Sequence, residues 1–474
     1  MLYKTLILLG LSLSLFAENK YNVLFICVDD LRNELGCYGV PEIKTPNFDK
    51  LANQSIVFEN HYVQVPTCGA SRYALLTGQR PINKRSLNNG AFNQLSHLSS
   101  EKSAQSLPEL FRRSGYKTST IGKVSHSPDG KLFKYTGEGK GLDELPNAWD
   151  INNTPYGKWK YGWGCFFAYD KGKHREDKSG YKPRYEFPEI EDNELPDGMN
   201  CEAALAQLEE LKDERFFMAL GFYKPHLPFV APKKYRDLYN DIDLKIAQNQ
   251  SRGETKHWHG SGEFYKYQTH TKQAKPLSEA HQIEAKKAYY ACVSYIDAQL
   301  GKVLNKLKEL GLDQNTIIVL WGDHGWNLGD HQIWGKHTPL ETALKSPLFI
   351  SIPGEDHQRS NAIVETVDIY PTLMDLCEVK YKKTKSKLSG TSLVPQFNNK
   401  GRGKDFAISY WKDSISIRNK RYRLITKIKG TTFSEFELYD HDTDPNETTN
   451  IAPTSKAVIE NLTTIIKREN TYVY

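Results

Sequence analysis

Two short apolar runs that each stop abruptly at acid constrain this chain more than any other feature. Val23-Leu24-Phe25-Ile26-Cys27-Val28 is continuous, rich in branched residues, and ends at Asp29-Asp30. Thr316–Trp321 repeats the arrangement and leads through Gly322 to Asp323-His324. Runs this short, without polar alternation, read as strands buried on both faces, and such strands belong to parallel sheets covered by helices on both sides. Ligands bind beyond the carboxyl ends of the strands in sheets of this kind. Both acidic clusters therefore fall at one edge of one sheet. Adjacent carboxylates beside a low-dielectric core need a compensating cation, and a hard divalent metal supplies one. Either pair alone also fits a solvated loop or a helix cap; two such strand ends in one fold point to a shared metal site.

The rest of the chain extends the α/β pattern. Thr45-Pro46 starts a helix through Leu51, with threonine as N-cap and proline at the first helical position. Residues 106–114 read as an amphipathic helix before a strand at 117–124, and 201–212 as a helix before the strand Phe216–Phe222. A long helical region, 278–310, precedes Thr316–Trp321; Pro347–Ile352 is a further strand and Asp368–Leu376 a further helix. This alternation predicts a large, mostly parallel sheet between helices. From Cys377 the pattern changes to short, mostly antiparallel strands at 406–410, 414–418, 422–428 and 436–439, closed by a helix at 455–468. The division expected is an N-terminal domain over 18–376 and a smaller C-terminal α+β subdomain over 377–474. Residues 131–197 and 240–275 read as long loops, where specificity often resides. Their Trp159, Trp163 and Trp258 fit either stacking on sugar faces or surface packing.

The first residues carry an address. Lys4, the apolar run Leu6–Leu15 and Phe16-Ala17 before a polar break have the form of a secretory signal peptide over residues 1–17. The run is too short for a comfortable membrane span. The mature chain is expected to begin near Glu18 and to be exported, periplasmic or secreted, with no membrane partner. With 63 basic and 57 acidic residues interspersed, the net charge of +6 gives no arm for nucleic acid. Seven cysteines leave at least one unpaired. Cys27 reads as a small core hydrophobe, Cys165 and Cys201 could pair, and Cys68 stays unpaired for a chemical reason.

That reason is the run Cys68-Gly69-Ala70-Ser71-Arg72, followed by Leu76-Thr77-Gly78. A thiol at a helix start, with a guanidinium on the same face one turn later, suits an anion. Lys123 and His126 follow a strand three residues apart, a cation and a titratable imidazole. His226 is bracketed by Pro225 and Pro228, which restrict its backbone. Lys336, in Trp334-Gly335-Lys336-His337, is anonymous by itself.

Together and in this order, these motifs resemble the formylglycine-dependent sulfatase family, in particular its iduronate-2-sulfatase-like branch. Gly36-Cys37-Tyr38-Gly39, Thr45-Pro46-Asn47-Phe48-Asp49, Gly322-Asp323-His324-Gly325-Trp326 and the closing Asp444-Pro445-Asn446-Glu447 add to the likeness. Ala70 departs from it, since many relatives have proline there. The resemblance implies an alkaline-phosphatase-like fold and one calcium ion held by Asp29, Asp30, Asp323, His324 and the modified Cys68. Histidine is an unusual calcium ligand, because hard cations prefer oxygen. Cys68 would be converted to formylglycine (3-oxoalanine) by a formylglycine-generating or anaerobic sulfatase-maturating enzyme. Its hydrate would attack sulfur while Arg72, Lys123 and Lys336 hold the sulfate oxygens. His226, with Lys336 as a second candidate, would protonate the leaving oxygen, and His126 would deprotonate the second hydroxyl. The expected substrate is a sulfated saccharide, attacked at one end of an oligosaccharide, with a uronic acid suggested by the branch. A phosphate mono- or diester hydrolase of the same superfamily, and a sulfated-glycan-binding protein with an unmodified thiol, are the alternatives.

Overall fold

The computed structural model describes residues 21–97, 103–251, 255–257, 262–268, 275–379, 381, 383–397 and 403–472. The signal segment and Trp258 lie outside the described residues. Eight strands form the central sheet: β1 (Asn22–Val28), β2 (Ile56–Tyr62), β3 (Lys117–Gly122), β4 (Ile151–Asn152), β5 (Phe216–Phe222), β6 (Thr316–Gly322), β7 (Leu348–Ser351) and β8 (Gln358–Glu365). Their order is β8-β2-β7-β6-β1-β5-β3-β4. All neighbours run parallel except β7, which is antiparallel to both β6 and β2. The two acid-ended runs are adjacent, with Val28 opposite Gly322, so their acidic ends emerge side by side.

β1 is buried along its whole length, and its alternate side chains feed two different cores. Leu24, Ile26 and Val28 pack on one face with Ala285, Tyr289, Ile296 and Leu300. Val23, Phe25 and Cys27 pack on the other with Leu110, Phe111, Ile369 and Leu373. This is the physical meaning of an apolar run without alternation: both faces of the strand are covered. The helices that matter to the site are α1 (Cys68–Thr77), α2 (Pro196–Glu210) and α3 (Glu279–Glu309). α3 lies within the expected 278–310, and Ser278 caps it by accepting the His281 N–H. α2 starts five residues before the expected 201, because Pro196 takes the first helical position ahead of a polar first turn.

The C-terminal part holds a four-stranded antiparallel meander, β9 (Phe406–Trp411), β10 (Ser414–Asn419), β11 (Tyr422–Lys429) and β12 (Thr432–Asp440), followed by a helix at Lys456–Glu469. Cys165 and Cys201, which the sequence left free to pair, do not. All seven cysteines are free thiols; the Sγ of Cys165 faces the carbonyls of Pro155 and Tyr156, and that of Cys201 faces Gln299 O. Trp159 is a core residue at 1% exposure, its Nε1 donating to Tyr169 O and Lys173 O, so it has no face for a sugar. Trp163 is likewise buried. Among the described residues no helix is long and apolar enough to cross a membrane.

Candidate active site

Four neighbouring strands, β6, β1, β5 and β3, deliver polar side chains at their carboxyl ends. β1 gives Asp29 and Asp30, β6 gives Asp323 and His324, β3 is followed by Lys123 and His126, and β5 by the loop that carries His226. Cys68 enters from the start of α1, and Lys336 from the end of a short antiparallel pair, Asn327–Leu328 with Trp334–Gly335. All ten predicted residues meet at this edge.

Cys68 is 3% exposed. Its Sγ lies 3.4 Å from His324 Nε2 and 3.2 Å from Lys336 Nζ. Lys336 Nζ also donates to Asp30 Oδ1 at 2.6 Å. Lys123 Nζ donates to Asp29 Oδ2 at 2.6 Å and sits 3.8 Å above the Phe166 ring. Arg72 is fully buried and holds the carboxylates in place: Nε donates to Asp323 Oδ2 at 3.0 Å, Nη2 to Asp29 Oδ1 at 3.2 Å, and Nη1 to the carbonyls of Lys123 and Val124. The expected reach of Arg72 toward an anion on Cys68 is thus directed largely at the chain's own acids and carbonyls. Ser71, to which its place in the motif gave no role of its own, donates its hydroxyl to Asp323 O at 2.5 Å.

The donor atoms of Asp29, Asp30, Cys68 and His324 all lie within 4.8 Å of one another. Asp323 Oδ1 is 3.7 Å from His324 Nε2 and accepts the Asp30 N–H at 2.9 Å. Asp30 Oδ2 is buried and has no hydrogen-bond partner, which is costly for a carboxylate unless a cation meets it. Asp30 also holds a φ of 61°, unusual for a residue other than glycine. Burial pushes Asp30 well above the carboxylate range against the pull of Lys336, and burial together with Asp29 raises Asp323 to about 7. Burial opposes the ionisation of Asp29 too, but Lys123 and Arg72 win and hold it well below its ordinary value. Burial thus keeps Asp30 and Asp323 resistant to ionisation even beside Lys336 and Arg72. An oxygen-rich set with an orphaned carboxylate oxygen fits a hard divalent cation.

The histidines are held neutral. Burial, then the Lys336 ammonium, pushes His226 and His324 well below the usual imidazole range; burial and Lys123 do the same to His126. His226 Nδ1 is bonded to Leu227 O at 2.6 Å, and its Nε2 lies 3.8 Å from both Asp30 Oδ2 and Glu263 Oε1. His126 rests against the Trp163 ring, 5.3 Å between centroids, and its Nδ1 is buried without a partner. Glu263 carried no sequence signal, because only the folded loop brings it to His226.

A family model described as Sulfatase matches residues 21–379. The chain belongs to the sulfatase family. A second model, N-sulphoglucosamine sulphohydrolase, C-terminal, matches residues 329–471. The sulfatase chain is 33% identical to a sulfatase of Formosa agariphila over 95% of its own length and 87% of that protein. It is 30% identical to the iduronate 2-sulfatase of Homo sapiens, over 75% of this chain and 68% of that one. Among solved structures it shares the fold of a protein captured in complex with its substrate D-glucosamine-2-N,6-O-disulfate, with a TM-score of 0.70 at 22% identity, covering 95% of this chain and 98% of that one. The expected α/β architecture is therefore that of the alkaline-phosphatase-like sulfatases, and the sulfatase is a sulfuric ester hydrolase.

Proposed function

We propose that this sulfatase is an exported, calcium-dependent enzyme that hydrolyses a sulfate ester on a sulfated saccharide through a formylglycine at position 68. The observation that carries the reading is the placement of Cys68 at the start of α1, between Lys336 Nζ and His324 Nε2 and within the cluster that Asp29 and Asp30 complete. Burial and Asp29 push this thiol well above its ordinary value, so it is not a thiolate as encoded. A carbonyl hydrate at the same position would present one hydroxyl for attack on sulfur and a second whose loss of a proton expels sulfate.

Asp29, Asp30, Asp323 and His324, with the residue at 68, would hold the calcium. When bound, the ion supplies positive charge to sulfate and lowers the pKa of a hydroxyl near it. The chain's own residues do the rest. Lys123 and Lys336 face the pocket as ammonium donors for the equatorial sulfate oxygens, and Arg72 keeps Asp29 and Asp323 fixed behind them. His226 Nε2 gives a proton to the bridging oxygen as the S–O bond breaks. The arriving ester anion, with Asp30 and Glu263 at 3.8 Å, offsets Lys336 and lets that nitrogen carry the proton. His126, held neutral, takes the proton of the second hydroxyl at position 68.

A saccharide substrate is supported by relatives named for sulfated sugars and by the rim of this site. Tyr135 is the sole aromatic among the exposed large hydrophobics of the described residues, at 43% exposure. Its ring lies 4.4 Å from that of Trp163, which in turn borders His126. An exposed ring backed by a buried one offers a flat apolar face to a sugar. The test uses the protein coexpressed with a maturating enzyme. Peptide mass spectrometry is expected to find residue 68 lighter than cysteine, and 4-nitrophenyl sulfate to be turned over faster than 4-nitrophenyl phosphate, with activity on at least one member of a panel of sulfated oligosaccharides. Dominant phosphatase activity, or an unmodified thiol in active protein, rejects the reading.

A further inference from the structure

The ring of His226 is aimed by groups that lie outside the sulfate pocket. Its Nδ1 side is satisfied by Leu227 O, which leaves Nε2 toward Asp30 and Glu263. The two carbonyls flanking Leu227 O have a different partner. His226 O, at 3.0 Å, and Pro228 O, at 2.7 Å, both accept from Lys224 Nζ. The backbone just before the turn is pinned in the same way, since Asp197, in the first turn of α2, accepts the N–H of Tyr223 at 2.6 Å and of Lys224 at 3.2 Å.

Lys224 is 4% exposed. Burying an ammonium is expensive, and a thioether of similar length would fill the space more cheaply. The sequence of the turn explains what the ammonium supplies. Pro225 and Pro228 carry no N–H, so a segment of few backbone donors must hold its carbonyls by some other group. Lys224 Nζ is that donor. By drawing the carbonyls of 226 and 228 to one side, it leaves the carbonyl between them to meet the imidazole.

We propose that Lys224, braced by Asp197, is a positioning residue that presents His226 Nε2 to the leaving oxygen. The proposal rests on His226 being the proton donor of the function proposed above, and the experiment separates the two. Substituted phenyl sulfates form a series from 4-nitrophenyl sulfate, whose phenolate leaves without protonation, to unsubstituted phenyl sulfate, whose phenolate needs a proton. With matured enzyme, His226→Ala should lose about 10²-fold or more on phenyl sulfate and far less on the nitrophenyl ester, as loss of general acid catalysis requires. Lys224→Met and Asp197→Asn should shift in the same direction by about tenfold, with nitrophenyl turnover close to wild type. Lys224→Arg, which keeps a cationic donor, should recover part of the phenyl sulfate rate. Selective loss in His226→Ala together with a uniform loss, or none, in Lys224→Met and Asp197→Asn overturns the positioning role and leaves the acid in place. No selectivity in His226→Ala removes the acid assignment, and the role of Lys224 with it. Nitrophenyl turnover also reports that each variant is folded and matured.

Discussion

Asp323 ties the metal site to the proton balance of the protein. Burial and Asp29 raise it from 3.8 to about 7, so the native chain without metal binds this proton more tightly than the unfolded chain does. Asp323 therefore contributes stability that is full below its unfolded value of 3.8 and is lost as pH rises from there through about 7. Calcium held as proposed would bind the ionised carboxylates and compete with the proton, so its stabilising effect would grow over the same interval. The expected outcome is a calcium-induced rise in Tm that is small at about pH 5, grows with pH, and levels off above the Asp323 value of about 7. Thermal melts of chelated and calcium-loaded protein across that range measure it. Asp323→Asn should flatten the dependence. A calcium effect that does not vary with pH would falsify the assignment of these carboxylates as ligands. Taking the difference between loaded and chelated protein matters, because His61 and the site histidines are held low by burial and act on stability in the opposite sense.

At the scale of elements, Glu365 at the end of β8 joins the central sheet to β9. Its carboxylate accepts from Arg80 Nε at 3.0 Å, Gln64 Nε2 at 3.1 Å, the Ile408 N–H at 3.1 Å and Lys404 Nζ at 2.5 Å. Burial opposes its ionisation, yet Arg80 and Lys404 hold it at about 2, below its ordinary 4.5. A depressed carboxyl stabilises the native state at pH above its unfolded value and loses that effect as pH falls through about 2. Glu365→Gln would leave two buried cations short of a counter-charge. A loss of roughly 3–5 kcal/mol is expected, measured by urea unfolding near neutral pH, where a change within about 0.5 kcal/mol would mean that the pair is dispensable. β8 itself was not legible in the sequence. Its Gln358-Arg359-Ser360-Asn361 half is polar because it runs along the edge of the sheet, where one side of the backbone has no strand to meet. β2 was missed for a related reason: Glu59, Asn60 and His61 interrupt an apolar run, and the burial of His61 depends on bonds to Ser346 and Thr366 nearly 300 residues away. The strands β1, β5 and β6 were readable because burial on both faces writes an unbroken apolar run. The site followed the same division. Asp29, Asp30, Asp323 and His324 were visible as acid at apolar strand ends, whereas Lys336 was recovered only from its place in a motif, and Glu263, Asp197 and Ser71 are given their roles solely by tertiary contact.

At the scale of the whole molecule, the C-terminal sheet buttresses the helix that carries Cys68. Val65 and Ala70, which flank Cys68, share a core with Ile408, Ile415 and Ile417. The Tyr410 N–H bonds to Gln64 O at 2.7 Å, Ser409 Oγ to Val63 O at 2.6 Å, and Trp411 stacks on His337, the neighbour of Lys336, with ring centroids 4.9 Å apart. A second buried network crosses the same boundary: Arg423 of β11 bonds Glu447 Oε1 at 2.6 Å and also Glu341, whose own N–H meets Glu447 Oε2 at 2.8 Å. The expected division near residue 377 therefore marks a change in pattern, and we read the two parts as one folding unit. A chain ended after Val379 would expose Val65 and Ala70, take Arg423 from Glu341 and Lys404 from Glu365, and leave the segment before Cys68 without its backbone partner. Each buried pair broken in this way costs about 3–5 kcal/mol, comparable in sum to the roughly 5–15 kcal/mol that holds a domain folded. The truncated protein should consequently fail to accumulate as a cooperatively folded species, as read by soluble yield, by its thermal transition and by turnover of 4-nitrophenyl sulfate after maturation. A soluble fragment with a sharp transition but no turnover would confine the C-terminal sheet to holding the site, while one that melts cooperatively and turns over substrate would show that the helix bearing Cys68 needs no support from behind.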